Sequence, residues 1–326
     1  GQPGGDAATR IRRGRRCGGA TAIAMGPTLQ CSSIRRAWPR IRAGLLLLAA
    51  LAIAAPAIAQ RTFPTPEAAV DALVDGLARN DDGEVRGVLG PDYRRLIPFD
   101  LASGADVTDF LAAWSKGHRV DRDGVRARLV LSDGWSLPIP IVRSGDGWAF
   151  DVRAGAEEMR IRRIGRNELA AIKSMYAYFD AQREFAQQDR NGDGMLEYAR
   201  RFVSSPGKHD GLYWATPDGE PPSPAGPLFD TRDIKDGYHG YRFRILEAQG
   251  PAASGGARSY LTRGHLANGF GLVAWPARYG DTGVMSFLIN HDGVVYQKNL
   301  GAASASIASA MTRFDPDATW TPLPAP

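Results

Sequence analysis

Apolar residues near the start of the globular part recur with the period of a helix. They stand at i, i+3, i+4 and i+7, and they are Val70, Leu73, Val74 and Leu77. Thr65–Glu67 precedes them with a hydroxyl N-cap, a proline at the first helical position and an acidic residue, which together predict a helix start. Asn80–Gly83 predicts its end, and Val107–Trp114 predicts a further helix.

The apolar spacing then changes to a period of two, which is typical of strands. The first alternating set is Val125, Ala127, Leu129 and Leu131, and the second is Trp135, Leu137, Ile139 and Ile141. Asp133–Gly134 and Ser144–Gly147 are turn sequences, and the second turn leads into a third strand at Trp148–Val152. Because Pro138 and Pro140 have no N–H, the second strand is predicted to be an edge strand or bulged.

The same order of helix followed by strands is repeated after Gly165. Asn167 is the predicted cap of a long helix that ends near Gln188, and its apolar face is Leu169, Ile172, Met175, Tyr176 and Phe179. A loop rich in proline and glycine covers residues 216–227. The strands predicted after it are Tyr241–Leu246, Ser259–Thr262, Phe270–Trp275, Val284–Ile289 and Val294–Gln297. Asn290–Gly293 forms a hairpin turn, and Ile307–Phe314 a closing helix.

These patterns predict an α+β fold in two modules, residues 60–164 and 165–326, each with an antiparallel sheet. A parallel doubly wound sheet is not expected. The layout of the first module resembles the NTF2-like cone fold, and the second resembles the globular head of type IV pilins, mainly through Gly283–Val295. A cone would place Trp114, Trp135 and Trp148 around a pocket for a small apolar ligand, whereas the alternative is that they are core residues.

The segment before Gln60 has the three parts of a secretory signal peptide. Arginines lie around residues 35–42, Leu45–Ile53 is apolar, and Ala57–Ala59 is an A-x-A cleavage site. Residues 25–59 are therefore predicted to be a signal peptide, and residues 1–24 to be non-native upstream sequence. The protein is expected to be exported, either periplasmic or secreted. An uncleaved leader, acting as a membrane anchor, is the alternative.

Charge and cysteine content exclude two classes of function for the exported part. The first 59 residues hold nine arginines and one aspartate, so of the formal charge of +5 the remainder carries −3. Nucleic-acid binding requires a basic excess on the folded domain and is not expected. Cys17 and Cys31 both precede the proposed cleavage point, which excludes disulfides and thiol nucleophiles from the rest.

The loop after the long helix carries residues that predict a calcium site. Oxygen-bearing side chains alternate along one loop, as in the first half of an EF-hand loop. The predicted ligands are Asp189, Asn191, Asp193, the Met195 carbonyl and Glu197. Arg200 stands where a bidentate glutamate is expected, and it could instead pair with one of these carboxylates. The competing interpretation is a metal-free turn that ends the helix.

Polar residues in the second half predict a cleft. They are Lys208, His209, Asp210, Tyr213, His239 and Tyr241. No H-E-x-x-H or G-x-S-x-G motif is present, so no catalytic signature supports an enzyme. A catalytic cleft would require at least two of His209, Asp210, His239 and Asp193 to converge.

Several longer segments resemble the bacterial exported family known as domain of unknown function 2950. They are Phe63–Val70, Ile164–Ile172, Ser205–Trp214, Tyr238–Leu246 and Val294–Lys298. The resemblance covers most of residues 62–322 and implies an exported protein without an established activity. The leading hypothesis is a binding or structural protein of the cell envelope, whose partner is an unidentified envelope component or ligand. The alternatives are an envelope hydrolase with a cleft around His209 and His239, and capture of a small ligand by the first module.

Overall fold

The computed structural model describes residues 60–96, 104–217, 219, 221–226 and 237–324. The predicted signal peptide lies outside these residues. The helices are α1 (Pro66–Ala78), α2 (Asp82–Leu89), α3 (Tyr93–Leu96), α4 (Gly104–Lys116), α5 (Val152–Phe185) and α6 (Ser304–Ala310). None of the helices in these ranges is both long and apolar enough to span a membrane.

In the described part of the chain, every ladder between two strands is antiparallel. They are β1 (His118–Asp123), β2 (Arg126–Leu131), β3 (Ile141–Ser144), β4 (Gly147–Phe150), β5 (Tyr241–Leu246), β6 (Ala248–Gln249), β7 (Arg258–Ser259), β8 (Leu261–Thr262), β9 (His265–Leu266), β10 (Gly271–Pro276), β11 (Ser286–Asn290), β12 (Tyr296–Lys298) and β13 (Thr321–Pro322). One sheet has the order β1-β2-β3-β4, another β13-β12-β11-β10-β5, and β6-β7 and β8-β9 are two-stranded. The predicted α+β class is confirmed.

The first helix begins as its sequence predicts. The hydroxyl of Thr65 accepts the N–H of Ala68 at 3.1 Å, and Pro66 occupies the first helical position. Val70 and Leu73 are buried in the first hydrophobic core, against the sheet β1–β4. α1 ends at Ala78, two residues before the predicted end. A second helix that the sequence pattern did not indicate, α2, follows at once, and the side chain of Asp81 caps it.

The first sheet is less regular than the alternating pattern suggests. Ala127, Leu129 and Leu131 are buried, whereas Val125 lies in the β1–β2 turn and is exposed. The second predicted strand forms only from Ile141 onward. Before it, Pro138 and Pro140 interrupt the ladder, as the absence of their N–H groups requires.

The predicted helix start at Asn167 is wrong, because α5 is one continuous helix of 34 residues from Val152. Its N-cap is Asp151, which accepts the N–H of Ala154 at 2.9 Å. The predicted face is also partly wrong, since Leu169 is exposed. The buried face is instead Ala171, Met175, Tyr178, Ala181, Gln182 and Phe185.

The residues near Gly165 attach α5 to the segment before β11. The amide of Asn167 donates to the carbonyl of Thr282 at 2.9 Å. The carboxylate of Glu168 accepts the N–H groups of Val284 and Met285 at 2.9 and 3.0 Å. The polar residues that resemble a helix start therefore make tertiary hydrogen bonds to residues 282–285 instead.

The hydrophobic core of the described residues has three clusters. The first gathers residues 63–152 around β1–β4, and the second packs α5 against the five-stranded sheet. The third gathers residues 246–320 of that sheet and of α6. β10 and β11 are buried at every position, which fits the centre of a sheet. The predicted module boundary at 164/165 falls inside α5, and the division into two modules stays a prediction.

Replacing Asp151 with alanine is expected to lower the free energy of unfolding by about 1 kcal/mol, because the first turn of α5 loses its cap. Asp151→Ser is the control, since a serine can still accept the Ala154 N–H. Urea unfolding measures both variants. An alanine variant as stable as the serine variant would contradict a helix start at this residue.

Candidate functional site

The chain turns through Asp189–Glu197 after α5 ends at Phe185. The two oxygens of Asp189 accept the N–H groups of Gly192 and Gly194, each at 2.8 Å. Both glycines have positive φ, 74° and 82°, which L side chains adopt only with strain. The amide of Gly194, followed by those of neighbouring residues, lowers the pKa of the Asp189 carboxyl below its usual value.

The other predicted calcium ligands do come together, but they are joined by hydrogen bonds. The amide nitrogen of Asn191 donates to Asp193 Oδ2 and to Glu197 Oε1, each at 2.9 Å. His265 Nδ1 lies 2.8 Å from the second oxygen of Glu197. The Met195 N–H donates to Asp193 Oδ1. Amide and imidazole groups of the chain therefore already satisfy these carboxylates.

No group of three or more Asp, Glu, His or Cys side chains in the described ranges is arranged as a metal site. The suggested pairing of Arg200 with the loop is wrong. Arg200 instead pairs with Glu247, at 2.7 Å, and donates to the carbonyl of Gly264.

Calcium binding at this loop stays a prediction, and it requires Asn191 to release both carboxylates. An affinity in the range of extracellular modules, roughly 10⁻⁴ to 10⁻³ M, is expected. Calcium at 1 mM would then stabilise the fold by about 0.4–1.4 kcal/mol and raise the melting temperature by about 1–5 °C.

A thermal melt with calcium and with chelator, both free of magnesium, measures this effect. Asp193→Asn should abolish the rise, because it removes a ligand charge while keeping the shape of the side chain. Identical melting temperatures in wild type would instead assign the loop to a turn stabilised by its own hydrogen bonds.

A second loop, Ser205–Asp210, is closed by its last residue. Asp210 accepts the N–H and the hydroxyl of Ser205 at 2.7 and 2.9 Å. Partial burial opposes ionisation of Asp210, but these hydrogen bonds and the charge of Arg201 prevail and lower its pKa. Asp210 is thus engaged within its own loop, while Lys208 and His209 are exposed near its tip.

The two loops border one polar cleft of about 800 Å³. Its walls come from the end of α5, the segment after the Asp189 loop, the Ser205–Asp210 loop and the β8–β9 hairpin. The lining residues are Phe185, Arg190, Asn191, Glu197, Tyr198, Ala199, Arg200, Arg201, Gly207, Lys208, His209, Asp210, Glu247 and His265. Of the six residues predicted to form a cleft, Lys208, His209 and Asp210 line this one.

The other three predicted cleft residues lie elsewhere. His239 borders a separate, mainly apolar cavity of about 210 Å³, which Tyr178 and Phe243 also line. Tyr241 is fully buried and donates its hydroxyl to the carbonyl of Met285 at 2.8 Å. Tyr213 packs against the core below the five-stranded sheet. The structure therefore does not bring His209 and His239 to one cavity.

The cleft also contains Arg190 and His265, which were not among the predicted cleft residues. Arg190 lies over the rings of Phe185 and Trp214, with its Cζ 5.0 and 5.2 Å from their centroids. His209 stacks on the same Trp214, with the ring centroids 4.2 Å apart. Arg190 adjoins the Asp189 motif and could have been noticed there, whereas only the fold brings His265 to the cleft.

The first module has an apolar groove of about 230 Å³ between α1, α4 and the segment around Pro138. Of the three tryptophans proposed to line a pocket, only Trp135 borders it. Trp148 is buried in the core, and Trp114 stacks on His118. Capture of a small apolar ligand by this groove stays a prediction.

The family model described as "Protein of unknown function (DUF2950)" matches residues 60–323. The chain belongs to this family. Searches of curated proteins and of solved structures gave no match. The resemblances to the NTF2-like cone and to the pilin head therefore stay predictions.

Two of the segments that carry the resemblance to DUF2950 have a clear place in the structure. Ser205–Trp214 contains the cleft loop together with the tryptophan that contacts Arg190 and His209. Ile164–Ile172 contains the two side chains that attach α5 to residues 282–285. One DUF2950 segment therefore supports the fold, and the other contributes Gly207, Lys208, His209 and Asp210 to the candidate site.

Proposed function

We propose that this DUF2950 protein is an exported protein that binds a component of the cell envelope in the polar cleft. The observation that carries the proposal is the cleft itself. Its volume of about 800 Å³ lies in the range of ligand sites, and charged groups from four separate segments converge on it. Loop tips and turns are also where binding residues concentrate in folded proteins.

Two observations support export. The family match begins at Gln60, the residue that follows the predicted cleavage site. The part of the chain after this point has no cysteine and a formal charge of −3, so the basic excess belongs to the leader. N-terminal sequencing of the protein from its host should find Gln60 at or near the start. Retention of Leu45–Ile53 in the purified protein would contradict cleavage.

Binding through the cleft can be tested by blocking it. The exported part has no native cysteine, so Lys208→Cys provides one attachment point for a bulky maleimide at the cleft wall. Ser306→Cys, on the exposed side of α6, is the matched control. Both labelled proteins are mixed with isolated cell-wall and membrane fractions, and the bound amount is measured after sedimentation.

The proposal expects one fraction to retain the wild type and the Ser306 conjugate, and to retain at least tenfold less of the Lys208 conjugate. Equal retention of both conjugates would place binding outside the cleft. Failure of every fraction to retain the wild type would overturn the proposed function.

Hydrolysis is a second candidate, and the pair of Glu197 with His265 favours it. Because a carboxylate can only accept, Nδ1 of His265 must be the donor in the 2.8 Å contact. A carboxylate that orients a histidine is the base half of a hydrolytic triad. Within the described ranges, the partners of the His265 imidazole are the carboxylates of Asp193 and Glu197, and neither is a hydroxyl nucleophile. The other ring nitrogen, Nε2, would therefore have to activate water directly.

Release of soluble fragments from dye-labelled cell wall tests this candidate. His265→Gln should abolish release, whereas His209→Gln, with its ring stacked on Trp214, should retain it. No release by the wild type, or equal release by both variants, would exclude a histidine-dependent hydrolase at this site.

A further inference from the structure

The charged groups of the cleft do not all neutralise one another. Four cationic side chains and three carboxylates line it. Arg200 pairs with Glu247, and Arg201 lies 3.6 Å from Asp210. The third carboxylate, Glu197, is engaged by Asn191 and His265. Within the described ranges, Arg190 and Lys208 are therefore the cleft cations without a carboxylate partner.

Arg190 is fixed in place although it has no ion pair. Its Nε donates to the carbonyl of Phe185 at 3.2 Å, at the end of α5. The rings of Phe185 and Trp214 flank the guanidinium, which adds a cation–π attraction. The Nη atoms have no acceptor among the described residues, so four of its five N–H donors are available to a ligand.

Neither nearby acid forms an ion pair with Arg190. Glu184 acts on the guanidinium through its charge alone, which favours the protonated form. Both oxygens of Asp189 are used by the backbone of the following turn, at Gly192 and Gly194. Partial burial lowers the pKa of Arg190, which indicates that the guanidinium has lost part of its water shell. An arginine nevertheless stays charged in proteins. The cleft therefore presents a positive charge that is both positioned and incompletely solvated.

Such a group suits an oxyanion. The planar fork of an arginine binds a carboxylate or a phosphate through two parallel hydrogen bonds, and partial loss of water strengthens the interaction. Lys208, held near the tip of its loop by the Asp210–Ser205 contacts, adds a second positive charge to the same cleft. The ring of His209, stacked on Trp214, provides a flat surface beside it.

We propose that the cleft binds an anionic ligand through a carboxylate or phosphate group held by Arg190, with Lys208 as a second cation. This inference rests on the proposed binding function and specifies its ligand class. The two anions present the same chemistry to a guanidinium, so the experiment has one arm for each.

Isothermal titration calorimetry of the purified protein tests the inference with three probes. One is a glycerol phosphate oligomer, one is a uronic acid oligosaccharide of similar length, and the third is the corresponding neutral oligosaccharide. At least one anionic probe is expected to bind and the neutral probe is not. The arm that binds identifies the anion as phosphate or carboxylate.

Arg190→Gln is expected to weaken binding of that anionic probe by about 10- to 100-fold, the effect of losing charge-assisted hydrogen bonds. Arg190→Lys should lie in between, because it keeps the charge without the fork. Arg183→Gln is the matched control, since Arg183 also lies over a ring, that of Phe179 at 5.5 Å, but outside the cleft. Its affinity should equal that of the wild type.

Three results would overturn the inference. They are equal affinity of Arg190→Gln and wild type, equal binding of the neutral probe, and no binding of either anionic probe. After any of these three results, the envelope-binding experiment separates the two proposals. If the fraction retains the wild type but not the Lys208 conjugate, the cleft remains a binding site and only the ligand class is wrong. Near-ultraviolet circular dichroism verifies that Arg190→Gln is folded. If it is not, the comparison of Arg190→Lys with wild type decides.

Discussion

Replacing Gln182 with alanine is expected to lower the free energy of unfolding by about 3–5 kcal/mol, the largest single effect that we predict. The side chain is fully buried on α5. Its nitrogen donates to the Tyr178 hydroxyl at 2.9 Å and to the carbonyl of Ala199 at 2.8 Å, and its oxygen accepts the N–H of Ala199 at 2.8 Å. Alanine would leave the N–H and the carbonyl of Ala199 without these partners and would create a cavity. The Tyr178 hydroxyl would keep only its bond to the carbonyl of Gly271.

Gln182 matters for the site because Ala199 lies in the cleft wall. The amide therefore attaches the wall of the cleft to the long helix. Urea unfolding measures the loss, with Gln187→Ala as an exposed control near the end of the same helix, expected within about 0.5 kcal/mol of wild type. Gln182→Met, which keeps the volume, separates the hydrogen bonds from the cavity. A loss below about 1 kcal/mol in Gln182→Ala would contradict this role.

Gly211→Ala is expected to lower the free energy of unfolding by about 3 kcal/mol, at the upper end of overpacking effects. A Cβ at this position would lie 2.7 Å from the nitrogen of Ser204 and 2.7 Å from the carbonyl carbon of Val203. Both are backbone atoms, so the two chain segments would have to separate. The cleft loop starts and ends at this crossing, and the variant should therefore also bind the envelope fraction less well.

Gly207→Ala is the matched control within the same loop. Nothing lies within 4 Å of the position of its Cβ, but its φ is +73°. Because alanine is strained at this left-handed backbone conformation, the free energy of unfolding should fall by about 1–2 kcal/mol. Thermal or urea unfolding compares the two alanine variants. Equal losses would show that the close approach at Gly211 does not limit stability.

Local patterns predicted the elements whose signals are strong within a few residues. The Thr65 cap and its proline placed the start of α1, and β5 has the predicted bounds, Tyr241–Leu246. The turn at Asn290–Gly293 joins β11 to β12 as expected, because Asn290 accepts the N–H of Asp292. In each case the residues that form the sequence pattern also make the hydrogen bonds or packing contacts of the element.

The failures occurred where tertiary contacts replaced local ones. Asn167 looks like a helix cap, but its side chain is used by Thr282. β1 was missed because its residues are charged and mostly exposed, as an edge strand permits. Gln182 was missed because an amide on a buried helix face carries no apolar signal, although hydrogen bonds satisfy it there.

The candidate site was predictable only in part. Lys208 and His209 belong to one loop rich in glycine and polar residues, and this composition indicated a functional segment. The contribution of His265 depends on a hairpin that lies about 70 residues from Asn191 in sequence, and no local pattern indicates that approach. Arg190 required knowledge that the adjacent Asp189 uses its oxygens within the turn.

Hydrogen exchange with and without the envelope fraction that retains the protein tests most directly whether the cleft is the binding surface. The account predicts slower exchange for the amides of Ser205–Asp210 and Asp189–Glu197 when the fraction is present. Exchange in α1 and in β1–β4 should stay the same. Protection confined to the first module, with the two cleft loops unchanged, would contradict the proposal that this protein binds through its polar cleft.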